Sequence, residues 1–400
     1  MAFICEDLGS VLQGLVEAFG SPEEDLMLLT PRLGSAGEED LRESGADEEV
    51  ALRIAVEEWQ ARRISPQISW ETALSQKDFL TTFRVTRPLF KYLVYEWERE
   101  RQSDLWKVRV HPADRQVLAA LYYLGNLEPI TSVAERFSMM PSTIHNVIVN
   151  FTNFLETLGD GSLTWPSAEE KIRCSEIVRQ NGGLPGVFGA LDAALIKIRA
   201  PAGDEKAHYV YKKSSTGLKC AVVLQFVVDA ELLLRDVYLA APSDANRVSI
   251  LQSSRLWELL HCTVAAETHI VAPAVYPLAP TIMVPYVGEQ LSPQEAAFNR
   301  LHSEAFKLSR SAMTVLKSRF RRLQLLDQKL CNVFKIILST CILHNIAIMR
   351  EGPEVLQELQ MSYRSGTDED GWHAPPQDAV ADFAILGGEE KRLYLTAVLS

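Results

Sequence analysis

Gly189-Ala190-Leu191-Asp192-Ala193-Ala194-Leu195-Ile196-Lys197-Ile198 decides how this chain is read, because it sets one acid between two short β-type runs. An aspartate carried on a strand is held rigidly enough to serve as one corner of a metal-binding carboxylate cluster. Cleaving a phosphodiester with two divalent cations about 4 Å apart takes several carboxylates to hold the ions and offset their charge. Asp192 stands alone in its stretch, and a lone aspartate cannot do that.

Working outward, strands are expected at 187–191, 195–199, 221–228 and 232–239, with Val228-Asp229-Ala230-Glu231 as a tight turn between the last two. The result is an antiparallel meander. A helix over 167–180 precedes it and stops at Asn181-Gly182-Gly183. Beyond the meander the pattern gives a helix over 247–260, a short buried strand over 269–271, and two long helices over 295–322 and 328–350. Strands first and helices afterwards, with one more strand between them, make an α/β layer.

Upstream the pattern is helical from 48 to 101, with Trp59, Trp70, Phe79, Phe83, Phe90, Tyr92, Leu93 and Trp97 as core anchors. A compact three-helix unit follows over 114–124, 130–137 and 142–155, with Ser138-Met139-Met140-Pro141 as the last turn, which is the spacing of a helix-turn-helix. Pro141 suits a first helical turn and Ser142 can cap it. The third helix begins Ser142-Thr143-Ile144-His145-Asn146-Val147-Ile148-Val149-Asn150, without a lysine or arginine for phosphate or guanine. Only Ser142, Thr143, His145 and Asn146 are left to contact DNA, so weak binding is expected.

The net charge of −12 is unevenly placed. Residues 1–50 hold 13 acids and two arginines, residues 351–400 hold ten acids and three bases, and the segment between carries +6. Acidic ends would compete with nucleic acid for a mildly basic body. Leu8, Val11, Leu12, Leu15, Val16 and Phe19 recur at helical spacing, a short amphipathic helix suited to a protein partner or to the chain's own body. Residues 21–50, rich in Glu, Asp, Gly and Ser with few aromatics, read as a disordered acidic linker. The expected organisation is an acidic segment 1–50, a helical domain 51–160, an α/β domain 161–350 and an acidic tail 351–400. The six cysteines are scattered with no Cys-x-x-Cys pair, which argues against a disulfide framework or a zinc site. The longest apolar run, 220–228, cannot span a bilayer, and the helix around 336–349 is interrupted by His344 and Asn345. Without a positive flank for secretion at the N-terminus, an intracellular protein of nucleus or cytoplasm is expected, with no membrane contact.

Taken together, the residues resemble the Harbinger-type transposases of the DDE superfamily and the nuclease-like proteins derived from them. The resemblance runs from about Phe79 to Arg350. It rests on the helix-turn-helix, Gly189-x-x-Asp192, Tyr209-x-Tyr211-Lys212-Lys213, Val228-Asp229-Ala230, Tyr276-Pro277-Leu278, Pro285-Tyr286, Phe298-Asn299-x-x-His302, Val315-Leu316-Lys317-x-Arg319-Phe320 and Cys341-x-Leu343-His344-Asn345-Ile346. Each piece is weak; their order over the whole stretch is specific. The resemblance implies an α/β, RNase H-like DDE nuclease core preceded by an all-α helix-turn-helix domain. It also implies four metal-holding carboxylates. The first matches Asp192, whereas the other three positions fall on Arg247, Pro273 and Arg310. Two arginines would repel or replace the divalent cations.

The reading is therefore a catalytically inactive, transposase-derived protein that works through a protein partner, Myb/SANT-like by the resemblance, with weak contact to DNA or chromatin. In it Asp192 pairs with Arg247 or Arg310. No cofactor is expected. A nuclease using Mg²⁺ or Mn²⁺ is the first alternative, and a helix-turn-helix DNA-binding regulator the second. Cations for phosphate are offered by Lys212, Lys213, Lys317, Arg319, Arg321 and Arg322, with Lys219, Lys307 and Arg310 nearby.

Overall fold

The computed structural model describes residues 73–101, 111–214, 217–242, 246–261, 267–352, 355 and 387–399. The amphipathic stretch Leu8 to Phe19, the acidic linker, Trp59 and Trp70 lie outside the described residues. Five helices come first: α1 (Gln76–Phe83), α2 (Arg87–Arg101), α3 (Ala113–Gly125), α4 (Ile130–Phe137) and α5 (Pro141–Leu158). Helix α6 (Ala168–Gln180) is closed at its start by a capping box in which Ser167 and Glu170 satisfy each other's backbone N–H. Then come β1 (Val187–Ile198), β2 (Val210–Ser214), β3 (Gly217–Asp229), β4 (Leu234–Ala240), α7 (Arg247–Ser253), α8 (Arg255–His261), β5 (His269–Val271), β6 (Ile282–Met283), α9 (Pro293–Arg319), α10 (Leu330–Glu351) and α11 (Gly388–Val398).

The two runs around Asp192 are one 12-residue strand. Antiparallel pairing with β3 from Gly189↔Asp229 to Ile198↔Cys220 holds the intervening Ala193 and Ala194 extended, overriding their low strand preference. Across the sheet the order is β4-β3-β1-β5-β6, and β2 pairs with the early part of β3. The β1, β3 and β4 strands are antiparallel, while β5 runs parallel to β1 and β6 parallel to β5. Gly189 is required where β1 and β3 approach closely, because a Cβ there would stand 2.5 Å from the Val228 carbonyl oxygen.

Alternation along the strands builds a core on each face. Leu191 and Val227 pack with Cys174 of α6, Leu251 of α7, and Leu256 and Leu260 of α8. On the other side Ala190, Ile196, Val222, Leu224, Phe226 and Val228 join Phe298, Ala305, Ala312 and Leu316 of α9 and Ile336, Ile337 and Leu343 of α10. That second core continues without a break into the helical unit through Phe79, Phe83, Phe90, Phe151 and Leu155. Trp97 packs edge-on against Phe151 and Phe154, with centroids 5.6 and 5.1 Å away. This mixed α/β sheet with helices on both faces is consistent with an RNase H-like DDE domain.

Several local readings are corrected. The single helix expected over 247–260 is two, because Ser254 takes an extended conformation between α7 and α8. The helix expected to reach 322 ends at Arg319, where Phe320 leaves helical geometry and a 3₁₀ turn, Arg321–Gln324, follows. Beyond that turn Leu326 is captured by the sheet: its N–H donates to the Lys197 carbonyl at 2.9 Å, and Arg199 N–H donates to the Leu326 carbonyl at 2.7 Å. Ser142 does not cap α5; Met140 occupies the N-cap without a side-chain bond, and Pro141 starts the helix. By length and composition α10 could cross a membrane. Most of it is buried inside the protein, and Asn345 ties it to the sheet by accepting from Leu234 N–H at 2.9 Å and donating to the Leu234 carbonyl at 2.7 Å.

Candidate functional site

Asp192 sits in the middle of β1, where its carboxylate is already taken by three donors. Its Oδ1 accepts from the Ala193 N–H at 2.8 Å and from Arg247 Nη1 at 3.1 Å, and its Oδ2 accepts from Ser309 Oγ at 3.2 Å. Arg247 is the first residue of α7, a helix fixed by the Asn246 side chain, which accepts from the Ser249 N–H at 2.8 Å. Ser309 comes from the middle of α9. Burial pushes the Asp192 carboxyl above the ordinary carboxylate range, and Arg247 is the strongest of the groups pulling it back, followed by Ala193 N–H, Ser309 and Arg310.

Of the remaining expected positions, Pro273 lies two residues beyond Val271, which pairs with Ala190 at the end of the parallel β1–β5 ladder. Its ring offers no oxygen or nitrogen lone pair to an ion. Arg310 follows Ser309 on α9; it is exposed, and its charge is felt at Asp192. Beneath Arg247 lies a buried polar chain that sequence reading did not find. The Tyr276 hydroxyl donates to Gln225 Oε1 at 3.3 Å, and Gln225 Nε2 donates to Ser254 Oγ at 3.4 Å. Tyr276 is fully buried, which pushes its phenol well above the usual value, and its ring lies 5.9 Å from the Arg247 guanidinium. The only hint in the sequence was the Tyr276-Pro277-Leu278 motif.

These groups do not fit a divalent metal pair. Among the described residues Asp192 belongs to no group of three His, Cys, Asp or Glu side chains within ligand reach of one another. The group that does meet, Cys174, Asp229 and Glu231, lies on the opposite face, by the β3–β4 turn. There Asp229 Oδ1 accepts from the Glu231 and Leu233 N–H groups at 2.8 and 3.0 Å, its Oδ2 accepts from Arg235 Nε at 2.5 Å, and Glu231 is bridged to Arg173 at 2.8 Å. Burial pushes the Cys174 thiol up to about 11, so the thiolate a metal needs is disfavoured. That cluster holds a turn. Asp244 lies outside the described residues, and Glu304 is engaged by Lys307 at 2.5 Å.

Among the residues expected to meet DNA, Ser142 and Asn146 are exposed at the start of α5, while Thr143 and His145 are half-buried. Lys212 and Lys213 stand on β2 opposite Lys219 and Leu218. The basic run at the end of α9 does not form the surface its sequence suggested. Lys317 is buried with Nζ 3.4 Å from the Leu195 carbonyl, and Arg319 is fully buried and bridged to Glu351 at 3.0 Å. Arg322 is carried inward by the 3₁₀ turn, where Nε donates to the Tyr123 carbonyl at 3.2 Å and the guanidinium stacks 4.1 Å from the Tyr123 ring. Arg321 is half-buried. Arg310 and Lys307 keep their exposure on this helix.

Comparison with known proteins agrees with this geometry. Residues 191–345 match the model of the DDE superfamily endonucleases. The chain is 27% identical over 315 residues to the ALP1-like protein of Arabidopsis thaliana, covering 72% of this chain and 76% of that one. It is 25% identical over 310 residues to Antagonist of Like Heterochromatin Protein 1 of Arabidopsis thaliana (72% and 76%), and 24% identical over 283 residues to HARBI1 of Xenopus laevis (68% and 79%). No solved structure matches. With the motifs of the DDE core in order along the chain, these matches make the protein similar to the Harbinger-type, transposase-derived proteins of the DDE superfamily over about two-thirds of its length.

Proposed function

We propose that this protein is a catalytically inactive member of its family that acts by binding another protein, with only weak contact to DNA or chromatin. One observation carries the reading: the single acid at the expected metal position is hydrogen-bonded to Arg247 and Ser309 instead of facing other carboxylates. Two-metal phosphodiester cleavage needs several negative ligands at fixed distances. Here a resident guanidinium supplies the positive charge, and it cannot polarise a phosphate oxygen or lower the pKa of a water as a bound Mg²⁺ or Mn²⁺ does.

A protein partner of the Myb/SANT-like kind belongs to this reading, as does residence inside the cell, in the nucleus, the cytoplasm or both. One of the similar proteins is named as an antagonist of a heterochromatin protein, which supports a role on chromatin. Within the proposed helical domain 51–160, α4 and α5 would form the helix-turn-helix. Ser138 closes α4 in a left-handed conformation and α5 presents Ser142 and Asn146 outward without a cation, which favours loose contact over sequence reading.

Supercoiled plasmid incubated with the full chain and Mg²⁺ or Mn²⁺ tests the proposal. Intact plasmid is the expected result. Nicking by the wild type that disappears in Asp192→Ala would replace this reading with an active nuclease. Site-specific retardation of DNA that His145→Ala or Asn146→Ala weakens would replace it with the DNA-binding regulator.

A further inference from the structure

Among the described residues, helix α11 is held on one side only. Gly388 abuts the Ala279 backbone so closely that a Cβ would stand 2.9 Å from it, and Lys391 Nζ donates to the Pro280 carbonyl at 2.7 Å. Arg392 stacks 4.0 Å from the Tyr286 ring, and the Thr396 and Tyr286 hydroxyls bond at 2.9 Å. Leu395 and Leu399 complete the inner side by packing against the main core. The outer side would be polar in an ordinary surface helix. Instead it exposes Leu393, Tyr394 and Val398 at 55, 67 and 63%. The loop leaving Tyr286 exposes two more large apolar side chains, Val287 and Leu291 at 61 and 36%. Five of the twelve exposed large apolar residues among those described thus belong to α11 and its flanking loop, a concentration that marks an interaction surface.

Charge says what this surface accepts. Glu389 and Glu390 are exposed at the first turn of α11 and Glu289 in the flanking loop, while Arg392 is turned onto Tyr286 and bridged to Glu389 at 3.2 Å. The two acidic ends of this same chain are poor occupants. The stretch through Phe19 carries Glu6, Asp7 and Glu17 with no lysine or arginine, and residues 356–386 hold six acids against Arg364. A second copy would bring the same acids, Glu389, Glu390 and Glu289, against their own counterparts.

We infer that the outer face of α11 is the docking site for an amphipathic helix of another protein that carries basic residues at one end of its apolar stripe. This rests on the protein-binding reading and adds the surface and the partner's chemistry. Apolar residues of that helix lie along Leu393, Tyr394 and Val398, and its cations meet Glu389, Glu390 and Glu289.

The test uses the full chain and a labelled synthetic helical peptide of about 16 residues with a leucine stripe and lysines at one end. A twin has glutamates in place of the lysines, and a third peptide copies residues 1–20. Fluorescence anisotropy is expected to show the lysine peptide binding at least about tenfold more tightly than either other. Leu393→Ser with Tyr394→Ser should weaken it at least about tenfold while leaving the thermal midpoint unchanged. Glu389→Lys with Glu390→Lys should abolish the preference for lysine. Equal binding of the first two peptides, or retention by the serine variant, overturns the proposal. Tighter binding of the 1–20 peptide would assign the face to the chain's own N-terminus, and dimerisation lost in the serine variant would assign it to a second copy. A natural partner that still binds the serine variant would keep the protein-binding reading and sink this surface.

Discussion

Arg247 donates to Asp192 across 3.1 Å, from the first turn of α7 to the middle of β1, with only 16% and 21% of the two side chains exposed. The pair ties α7 to the sheet at the residue that the sequence resemblance matches to a metal ligand. Removing one member strands the other. Arg247→Ala is expected to cost about 1–2 kcal/mol, less than a fully buried pair because both groups keep some water. Asp192→Asn with Arg247→Ala should cost clearly less than the sum of the single changes in urea denaturation, and additive losses would show that the bond contributes nothing.

The meeting of Asp192 with Arg247 was legible in the sequence because motif order specifies which elements must meet. What it did not give was the phase of α9. Neighbouring helical residues point about 100° apart, so a motif placed within a residue cannot tell Ser309 from Arg310. Arg319 and Arg322 read as surface because they end an apolar helix; the groups that bury them, Glu351 and Tyr123, are distant in sequence. The helix α11 was hidden in an acidic tail because its inner side uses Lys391, Arg392 and Thr396 as anchors, so no apolar stripe marks it. The long β1 was hidden by two alanines that only pairing with β3 keeps extended.

The burial of Arg319 separates structure from nucleic-acid contact within one basic run. Glu351 accepts from Arg319 at 3.0 Å and from the Thr86 N–H at 2.8 Å, joining α9, α10 and the start of α2. Glu351→Ala should destabilise the fold by about 3–5 kcal/mol by leaving a buried guanidinium without its carboxylate, whereas Glu351→Leu combined with Arg319→Met should come close to neutral. Arg310→Ala, on the exposed side, should change stability by no more than about 0.5 kcal/mol and instead reduce retention on a phosphate or DNA column at low salt. A large stability loss in Arg310→Ala would contradict this division.

His344 makes stability depend on acid. It is fully buried in α10 with Nε2 3.0 Å from the Leu232 carbonyl, and burial, with Arg319 nearby, lowers its pKa from 6.5 to about 3. The unfolded chain therefore binds a proton that the folded chain refuses. The stabilisation is complete above about pH 6.5 and is lost as pH falls toward about 3, at about 1.4 kcal/mol per pH unit. Burial depresses His269 and His302 as well, so the whole protein should lose stability more steeply than one site allows. His344→Gln keeps an N–H for the Leu232 carbonyl and removes the titration. Denaturation midpoints measured from about pH 7 to about pH 5 should then fall less steeply than in wild type, and an unchanged slope would exclude His344 as a contributor.

If the site lost its metals by replacement of ligands on an intact scaffold, restoring carboxylates should restore binding. Pro273 lies two residues past the Ala190–Val271 pair, Arg247 reaches Asp192 directly, and Ser309 Oγ is 3.2 Å from Asp192 Oδ2. The variant Arg247→Asp, Pro273→Asp, Ser309→Glu should therefore bind Mn²⁺ measurably by calorimetry, and adding Asp192→Ala should abolish that binding. Placing the glutamate at Arg310 instead of Ser309 turns it about 100° away toward solvent, so binding should weaken at least about tenfold, or about 1.4 kcal/mol. Equal affinity of the two variants would mean that α9 rotates freely enough to present either residue. No Mn²⁺ binding by either, in variants that remain folded, would mean that the surrounding backbone, as well as the three side chains, differs from a metal-holding arrangement.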